Sequence, residues 1–438
     1  MTEEVRSESR MPVRWHRSPV VAVGIIGSAL VAVVGLAMSR ADLVAIGLPL
    51  ALASTWALLR RPTSASVSVA LRARTADGET GAEVCGAVDV QAPADLDWIQ
   101  LAVDQGGRRA GLVDVPPGRG VVTTSTRPLH SGPVELLAVT GRSISVDGAW
   151  ASGVGERVSL DWRVPPRRHD VGRLPLAPRL LGLHGGHPGA RSGEGGDFRD
   201  IRAFAPGDEL RRIDWRATAR AARRPGDLLV RRTDALSDSS VVVALDTVDD
   251  LGSSVAAWGS GDPERSGVTS LDLGREAALS IAATAIAAGD RVAYHALASG
   301  GQGLRSGSGP RHLARLSGAI SATGTGADGT RYRRSPVVPV GSIVFVLSTF
   351  FDGIAAQLAS RWRASGHAVV AVDTLPELDA VRLTPEQTVA MRTLLAERTE
   401  VLAELQHAGI EVVRWATDRD TGMRLAALRQ QRARAGRR

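Results

Sequence analysis

Apolar positions follow three different rhythms along the chain, and each predicts a different kind of element. Residues 18–38 carry no charge, and residues 42–59 form a second apolar run with Pro49 inside it and Trp56 near its end. Each run is long enough for a helix that crosses a hydrocarbon core, which takes about 20 apolar residues. From about Val67 to Trp162 the pattern changes to short alternating runs such as SVSVALRAR, EVCGAVDV and WIQLAV, broken by Gly, Pro and Asp. Short strands at that spacing predict an antiparallel β-sandwich.

From Val241 onward, solid apolar runs alternate with helical patterns. Strands are predicted at 241–246, 291–297, 342–349, 367–374 and 410–415, and helices at 275–288, 310–322, 354–365 and 385–408, with a basic helix at about 420–434. Repeated β-α units with apolar strands imply a mostly parallel sheet covered on both faces. The fold class is therefore multidomain: an N-terminal two-helix transmembrane hairpin, a β-sandwich-like module and a C-terminal α/β domain. The segments are a tail at 1–17, the hairpin at 18–59, the β-rich module at 64–164, a Gly/Pro-rich linker at 165–194, a charged collar at 195–240 and the α/β domain at 241–434.

Charge orients the hairpin. Arg6, Arg10, Arg14 and Arg17 precede it and Arg60 and Arg61 follow it, while the connecting turn has only Arg40 beside Asp42. The positive-inside bias places both termini and the large soluble part in the cytoplasm, with the chain in the cell membrane as a two-pass protein. The alternative, a cleavable signal peptide, lacks a small-x-small cleavage site, and a second apolar run follows almost at once.

Composition removes several chemistries. The chain has 53 Lys and Arg residues together, and every one is Arg; Asn is absent as well. A net charge of +7 would ordinarily raise nucleic acid as a partner, but the cations are scattered. Without Lys there is no Walker-type lysine for a nucleotide, no Schiff base and no lysine general base, so neither nucleotide nor specific nucleic acid is expected. One cysteine, Cys85, excludes an internal disulfide and a Cys-rich zinc site. His184 and His187 stand at H-x-x-H spacing in a Gly-rich loop with no third ligand nearby, which reads as solvated histidines. Neither the histidines nor Ser253-Ser254 fall in a nucleophile-elbow pattern, so no catalytic residue is expected and the chain reads as a non-enzyme.

The collar holds the most specific signal. It contains Gly196, Asp197 and Phe198, then Arg202, Phe204, Gly207 and Asp208, then Arg212, Ile213, Asp214, Trp215, Thr218, Ala219 and Arg220. In order and spacing these residues resemble the hallmark of the domain-of-unknown-function 58 (DUF58) family, G-x-E-F, R-x-Y-x-x-G-D and R-x-I-D-W-x-x-S/T-A-R, with Asp197 for Glu and Phe204 for Tyr. The resemblance implies a β-rich module ahead of the collar, often ending in an Asp-Pro-Phe-Gly element. SVDGAWASG at Ser145–Gly153 is at best a decayed version of it.

The β-α order that follows resembles a von Willebrand factor type A domain, which the DUF58 resemblance also implies. Such domains often hold Mg²⁺ on a D-x-S-x-S loop after the first strand, a Thr on a second loop and an Asp on a third, because a hard cation takes oxygen ligands. The matching positions are Asp246, Asp250, Thr325 or Thr330, and Asp352, with Asp249 as a further carboxylate. Val248 stands where the first Ser belongs and offers no oxygen, so the site reads as degenerate. No cofactor is certain, and Mg²⁺ or Mn²⁺ is the possible one.

Pro206-Gly207-Asp208 reads as a turn into a helix with Asp208 near its N-cap. Two roles are open for the collar. Asp214 and Trp215 pack it onto the sheet while carboxylates hold its arginines, or Arg212, Arg216 and Arg220 line one face as a docking strip for an acidic partner. The function expected is a membrane-anchored cytoplasmic adaptor that binds another protein. The family resemblance implies a MoxR-type AAA+ ATPase as partner and a role in assembly or maturation of a membrane-linked complex, with the lipid bilayer as the other contact. The alternative is a divalent-metal-dependent enzyme acting on a phosphoryl substrate from the Asp246/Asp352 rim.

Overall fold

The computed structural model describes residues 4–61, 63, 66–75, 83–92, 98–106, 108–116, 118–145, 148–177, 187–221, 227–237, 239–258, 266–297, 303–325, 335–415 and 419–435. His184 and Thr330 lie outside them. The chain divides into two compact units, Met1–Pro128 with Pro133–Val164, and Leu129–Gly132 with Pro165–Arg438.

The first unit begins with β1 (Glu4–Pro12) and β2 (Trp15–Arg17), then α1 (Pro19–Ala37) and α2 (Ala41–Leu59). Eight strands follow: β3 (Ser66–Thr75), β4 (Val84–Ala92), β5 (Trp98–Gln105), β6 (Arg108–Val115), β7 (Gly118–Thr126), β8 (Gly132–Ile144), β9 (Trp150–Ser152) and β10 (Val158–Val164). They form two sheets. One has the order β1-β3-β4-β7, the other β2-β9-β8-β5-β6 with β10 also paired to β8. Alternate residues such as Val67, Val69 and Leu71 on one sheet and Ile99, Leu101 and Val103 on the other meet in a single apolar core.

The stretch read as a tail is built into this sandwich. Glu4–Pro12 pairs antiparallel with Ser66–Arg74 of β3, and Trp15–Arg17 pairs with Trp150–Ser152 of β9. The strands before and after the helical hairpin therefore belong to one folded unit. Few apolar residues mark β1, so only the long-range register reveals it.

Helices α1 and α2 are both apolar and long enough to cross a membrane, and are compatible with a two-pass anchor. Small residues let them approach closely: a Cβ on Gly24 would lie 2.3 Å from Ser54 Oγ, and one on Gly35 2.9 Å from Val44. The stretch around Trp150 fixes the hairpin to the sandwich. Trp150 is buried, its Nε1 donates to Ala57 O at 3.0 Å, and Ser18 N–H donates to Ala149 O at 2.8 Å. Arg17 and Arg61 lie over the Trp150 ring at 6.0 and 5.6 Å.

In the second unit, β11 (His187–Ala203) and β12 (Leu229–Ser237) form a two-stranded antiparallel ribbon around a 3-10 turn, Leu210–Arg212, and the short helix α3 (Trp215–Ala221). Strand β11 thus starts inside the stretch read as a linker. The α/β sheet then uses β13 (Ser240–Asp246), β14 (Arg291–Leu297), β15 (Gly303–Gly307), β16 (Ile343–Ser348), β17 (Ala368–Asp373) and β18 (Glu411–Arg414). Its order is β15-β14-β13-β16-β17-β18, parallel except for the edge strand β15. It is therefore mixed but mostly parallel.

Helices α4 (Ser270–Ala287), α5 (Pro310–Ser321), α6 (Ile354–Ala364), α7 (Pro385–His407) and α8 (Arg419–Ala435) complete the unit. Because side chains alternate across a strand, β13 feeds two cores. Val241, Val243 and Leu245 pack with residues of α4, α5 and α8, whereas Val242 and Ala244 pack with α6 and Leu405 of α7. Thr269 and Asp272 close a capping box at the start of α4, and Thr384 and Gln387 do the same for α7.

Candidate functional site

Two places in the second unit gather functional side chains: the collar and the carboxyl-terminal rim of the parallel sheet. In the collar, Gly196 and Asp197 lie in β11, and Phe198 is 54% exposed with the Arg231 guanidinium 5.4 Å above its ring. Gly207 has φ +99, the left-handed conformation that lets the chain turn here. Asp208 does not cap a helix. Its carboxylate takes Arg202 Nη2 at 2.6 Å and Ala205 N–H at 2.9 Å, so it closes the turn on itself.

Asp214 is the capping residue instead, with Oδ1 accepting from Ala217 N–H at 2.9 Å. The helix starts late for a structural reason. Ile213 is held extended by a bridge to Val230, and Asp214 N–H donates to Leu229 O, which separates the 3-10 turn from α3. Arg212 consequently lies off α3 and pairs with Glu209 at 3.1 Å, while Arg216 and Arg220 share one exposed face of α3.

Trp215 is 67% exposed, which corrects the expectation that it packs the collar onto the sheet. With Asp214 and the capping geometry at the first turn of α3, its ring is turned outward into a shallow cleft of about 530 Å³. The cleft is lined by Arg211, Arg212, Ile213, Asp214, Arg231 and Thr233. The surface is thus cationic, with two large aromatic rings on it.

The rim lies where the sheet order reverses between β13 and β16, the place at which open α/β sheets form their crevices. Asp246 ends β13 and Ser348 ends β16, and Ser348 Oγ donates to Asp246 Oδ2 at 2.7 Å. Asp246 Oδ1 accepts from Val248 N–H at 3.2 Å. Burial pushes the Asp246 carboxyl up to about 6, against the two hydrogen bonds and with help from the charges of Asp352 and Asp249. Asp249, raised by burial and then by Asp352, accepts from Thr349 Oγ1 at 3.3 Å.

Beside the rim, Arg398 of α7 is buried and donates through Nε to Thr349 O at 2.6 Å. It also forms an ion pair with Asp373 and stacks 5.5 Å from Phe351.

The family model described as "Protein of unknown function DUF58" matches residues 200–402. The match supports assignment to the DUF58 family. It runs through most of the collar and the greater part of the α/β sheet. No curated protein matches the chain. A solved structure with some similarity is titled "Structure of a family two carbohydrate esterase from Clostridium thermocellum in complex with cellohexaose". It is 11% identical, covers 83% of this chain and 95% of that one, and has a TM-score of 0.18, below the level of a shared fold.

Within the matched region the structure brings Asp246, Asp249 and Asp352 close enough to raise the cost of charging Asp246 and Asp249. The other two positions read as ligands have different contacts. Asp250 is exposed and accepts from Leu271 N–H at 3.3 Å at the start of α4, and Thr325 is exposed. Asp352 accepts from Ile354 N–H at 3.0 Å at the start of α6. Among the described residues, no group of three or more His, Cys, Asp or Glu side chains is placed to hold a metal ion. The donor set as arranged does not fit Mg²⁺ or Mn²⁺. Sequence reasoning missed Ser348 and Arg398; a Ser at the end of an apolar strand and one Arg in a charged helix give no pattern to find them by.

Proposed function

We propose that the chain is a membrane-anchored protein-interaction adaptor that docks an acidic partner on the collar. The observation that supports this reading is the exposed Trp215 in a cleft with Arg211, Arg212 and Arg231 beside Phe198. Trp and Arg are among the side chains most enriched in residues that dominate binding energy. The docking strip is revised accordingly. It centres on Trp215 and Arg231, with Arg212 at its edge and Arg216 and Arg220 on the neighbouring face of α3.

The von Willebrand A-like reading of the α/β region is supported by the β-α order and the mostly parallel sheet. In this reading the rim is a metal-free descendant in which Ser348 satisfies Asp246, so partner affinity comes from charge and aromatic anchors on the collar. The partner implied by the family resemblance is a MoxR-type AAA+ ATPase. Both ends of the hairpin return to one folded unit, and the Arg excess flanking it argues that this unit faces the cytoplasm. Affinity capture from detergent-solubilised membranes tests the proposal. The wild-type chain retains such an ATPase, and Trp215→Ala loses it while melting normally; equal retention by both chains defeats the assignment.

A further inference from the structure

Ser266, His130 and Asp272, all in the second unit, form a continuous hydrogen-bonded relay. Ser266 Oγ lies 3.1 Å from His130 Nε2, and His130 Nδ1 lies 2.7 Å from Asp272 Oδ2. The three groups come from positions 136 and 142 residues apart along the chain. We propose that Ser266 is an acyl-accepting nucleophile, with His130 as its general base, acting on carboxylic esters. This activity is independent of the docking role proposed for the collar.

The surroundings hold the relay in the order that such chemistry needs. A carboxylate can only accept, so Asp272 fixes the proton of neutral His130 on Nδ1 and leaves the Nε2 lone pair facing the Ser266 hydroxyl. Asp272 is itself immobilised, since Oδ1 accepts from Ser131 N–H at 2.8 Å and Ser131 Oγ at 3.0 Å, and Oδ2 from Thr269 N–H at 3.2 Å. Burial would raise its pKa, but His130 and these N–H donors carry it below the ordinary carboxylate value.

The loop bearing His130 is clamped from the other side by Arg275, which is 4% exposed and donates to Ser131 O at 2.9 Å. Gly132 makes that clamp possible: its φ is +93, and a Cβ there would sit 2.5 Å from the guanidinium carbon. The backbone of Ser266 is fixed as well, because its carbonyl accepts from Ser254 N–H at 3.1 Å. Ser266 is half-buried, and Gly267 and Val268 beside it are exposed. Positioned nucleophile, base and orienting acid are the elements of covalent acyl transfer.

In the proposed reaction Ser266 Oγ bonds to the ester carbonyl carbon as His130 Nε2 takes its proton. The bond from that carbon to the alcohol oxygen then breaks, and Nε2 delivers the proton to the departing alkoxide. Water repeats the sequence on the acyl-serine and releases the acid with Ser266 restored. Asp272 is a positioning residue.

A fluorophosphonate probe on the full-length chain in detergent tests the proposal, because Oγ attack on phosphorus expels fluoride and leaves a stable adduct. The expected result is modification mapped to Ser266, absent in Ser266→Ala and slowed about 100-fold or more in His130→Gln, the range for a lost general base. Asp272→Asn should slow labelling at Ser266 while the chain melts as the wild type does, because an amide can hold His130 in the other tautomer; labelling at the wild-type rate would show that Asp272 only braces the loops. The wild-type chain alone decides the matter should His130→Gln fail to fold. An unlabelled wild type, or labelling at another serine, overturns the proposal.

Discussion

Ser348 Oγ hydrogen-bonds Asp246 Oδ2 at 2.7 Å and so ties together the carboxyl ends of the two strands between which the sheet order reverses. A carboxylate that is buried remains expensive to charge even with these hydrogen bonds. Its folded pKa of about 6 lies above the ordinary 3.8, so the folded state holds the proton more tightly. The stability it contributes is fully present below about pH 4 and is lost as the pH rises through about 6. Asp246→Asn should flatten the melting profile across that window and stabilise the chain at neutral pH by roughly 1–3 kcal/mol, given about 1.4 kcal/mol per pKa unit. A loss of stability at neutral pH would show that the charged form is needed.

The same geometry predicts the response to metal. With Ser348 on one Asp246 oxygen and Asp250 turned to the α4 N-terminus, millimolar Mg²⁺ or Mn²⁺ should leave the melting temperature unchanged. A ligand that binds only the folded state must raise it. A rise that disappears in Asp246→Asn would establish the site that these contacts argue against.

Arg398 supplies a test of how the rim is braced. Its removal leaves Asp373 buried without its ion pair and Thr349 O without its donor. Arg398→Ala should cost about 3–5 kcal/mol in denaturant unfolding, the range for breaking a buried pair from one side. Pairing it with Asp373→Asn should recover part of the loss, and simple additivity of the two losses would count against the coupling.

Much of the α/β region was legible because solid apolar runs and Gly- or Pro-marked breaks are local signals. Helix 385–408 was placed within a residue of Pro385–His407, and strand 291–297 coincides with β14. Edge strand β15 was missed, since Gly303–Gly307 is short, polar and glycine-rich. Strand β1 was missed because EVRSESRMP has too few apolar residues to show a rhythm, and its pairing with β3 spans the whole hairpin. In the collar, the residues picked out by the family pattern lie in and around β11 and α3, but the pattern did not give their geometry. The expected cap at Asp208 moved to Asp214 once Ile213 was drawn into a bridge with Val230. The Ser266–His130–Asp272 relay was invisible for a different reason: nothing in sequence brings together groups this far apart.

Membrane topology is open to a direct chemical test through Cys85, a partly buried thiol in β4. With the Arg-rich flanks inside, a membrane-impermeant maleimide should leave Cys85 unmodified in intact cells and modify it after lysis in denaturant. A cysteine introduced at Ser7 should behave in the same way, because β1 and β4 both pair with β3. Labelling of either site in intact cells would reverse the orientation.

Docking on the collar is tested most directly by photo-crosslinking in living cells from position 211, at the rim of the Trp215 cleft. The account predicts a covalent adduct with a MoxR-type AAA+ ATPase that is lost when Trp215→Ala is added. In solubilised membranes the adduct should weaken as salt rises, because attraction between exposed charges is screened. An adduct of undiminished yield in the Trp215→Ala background, or one obtained only from a distant exposed position such as Val389 on α7, would contradict it.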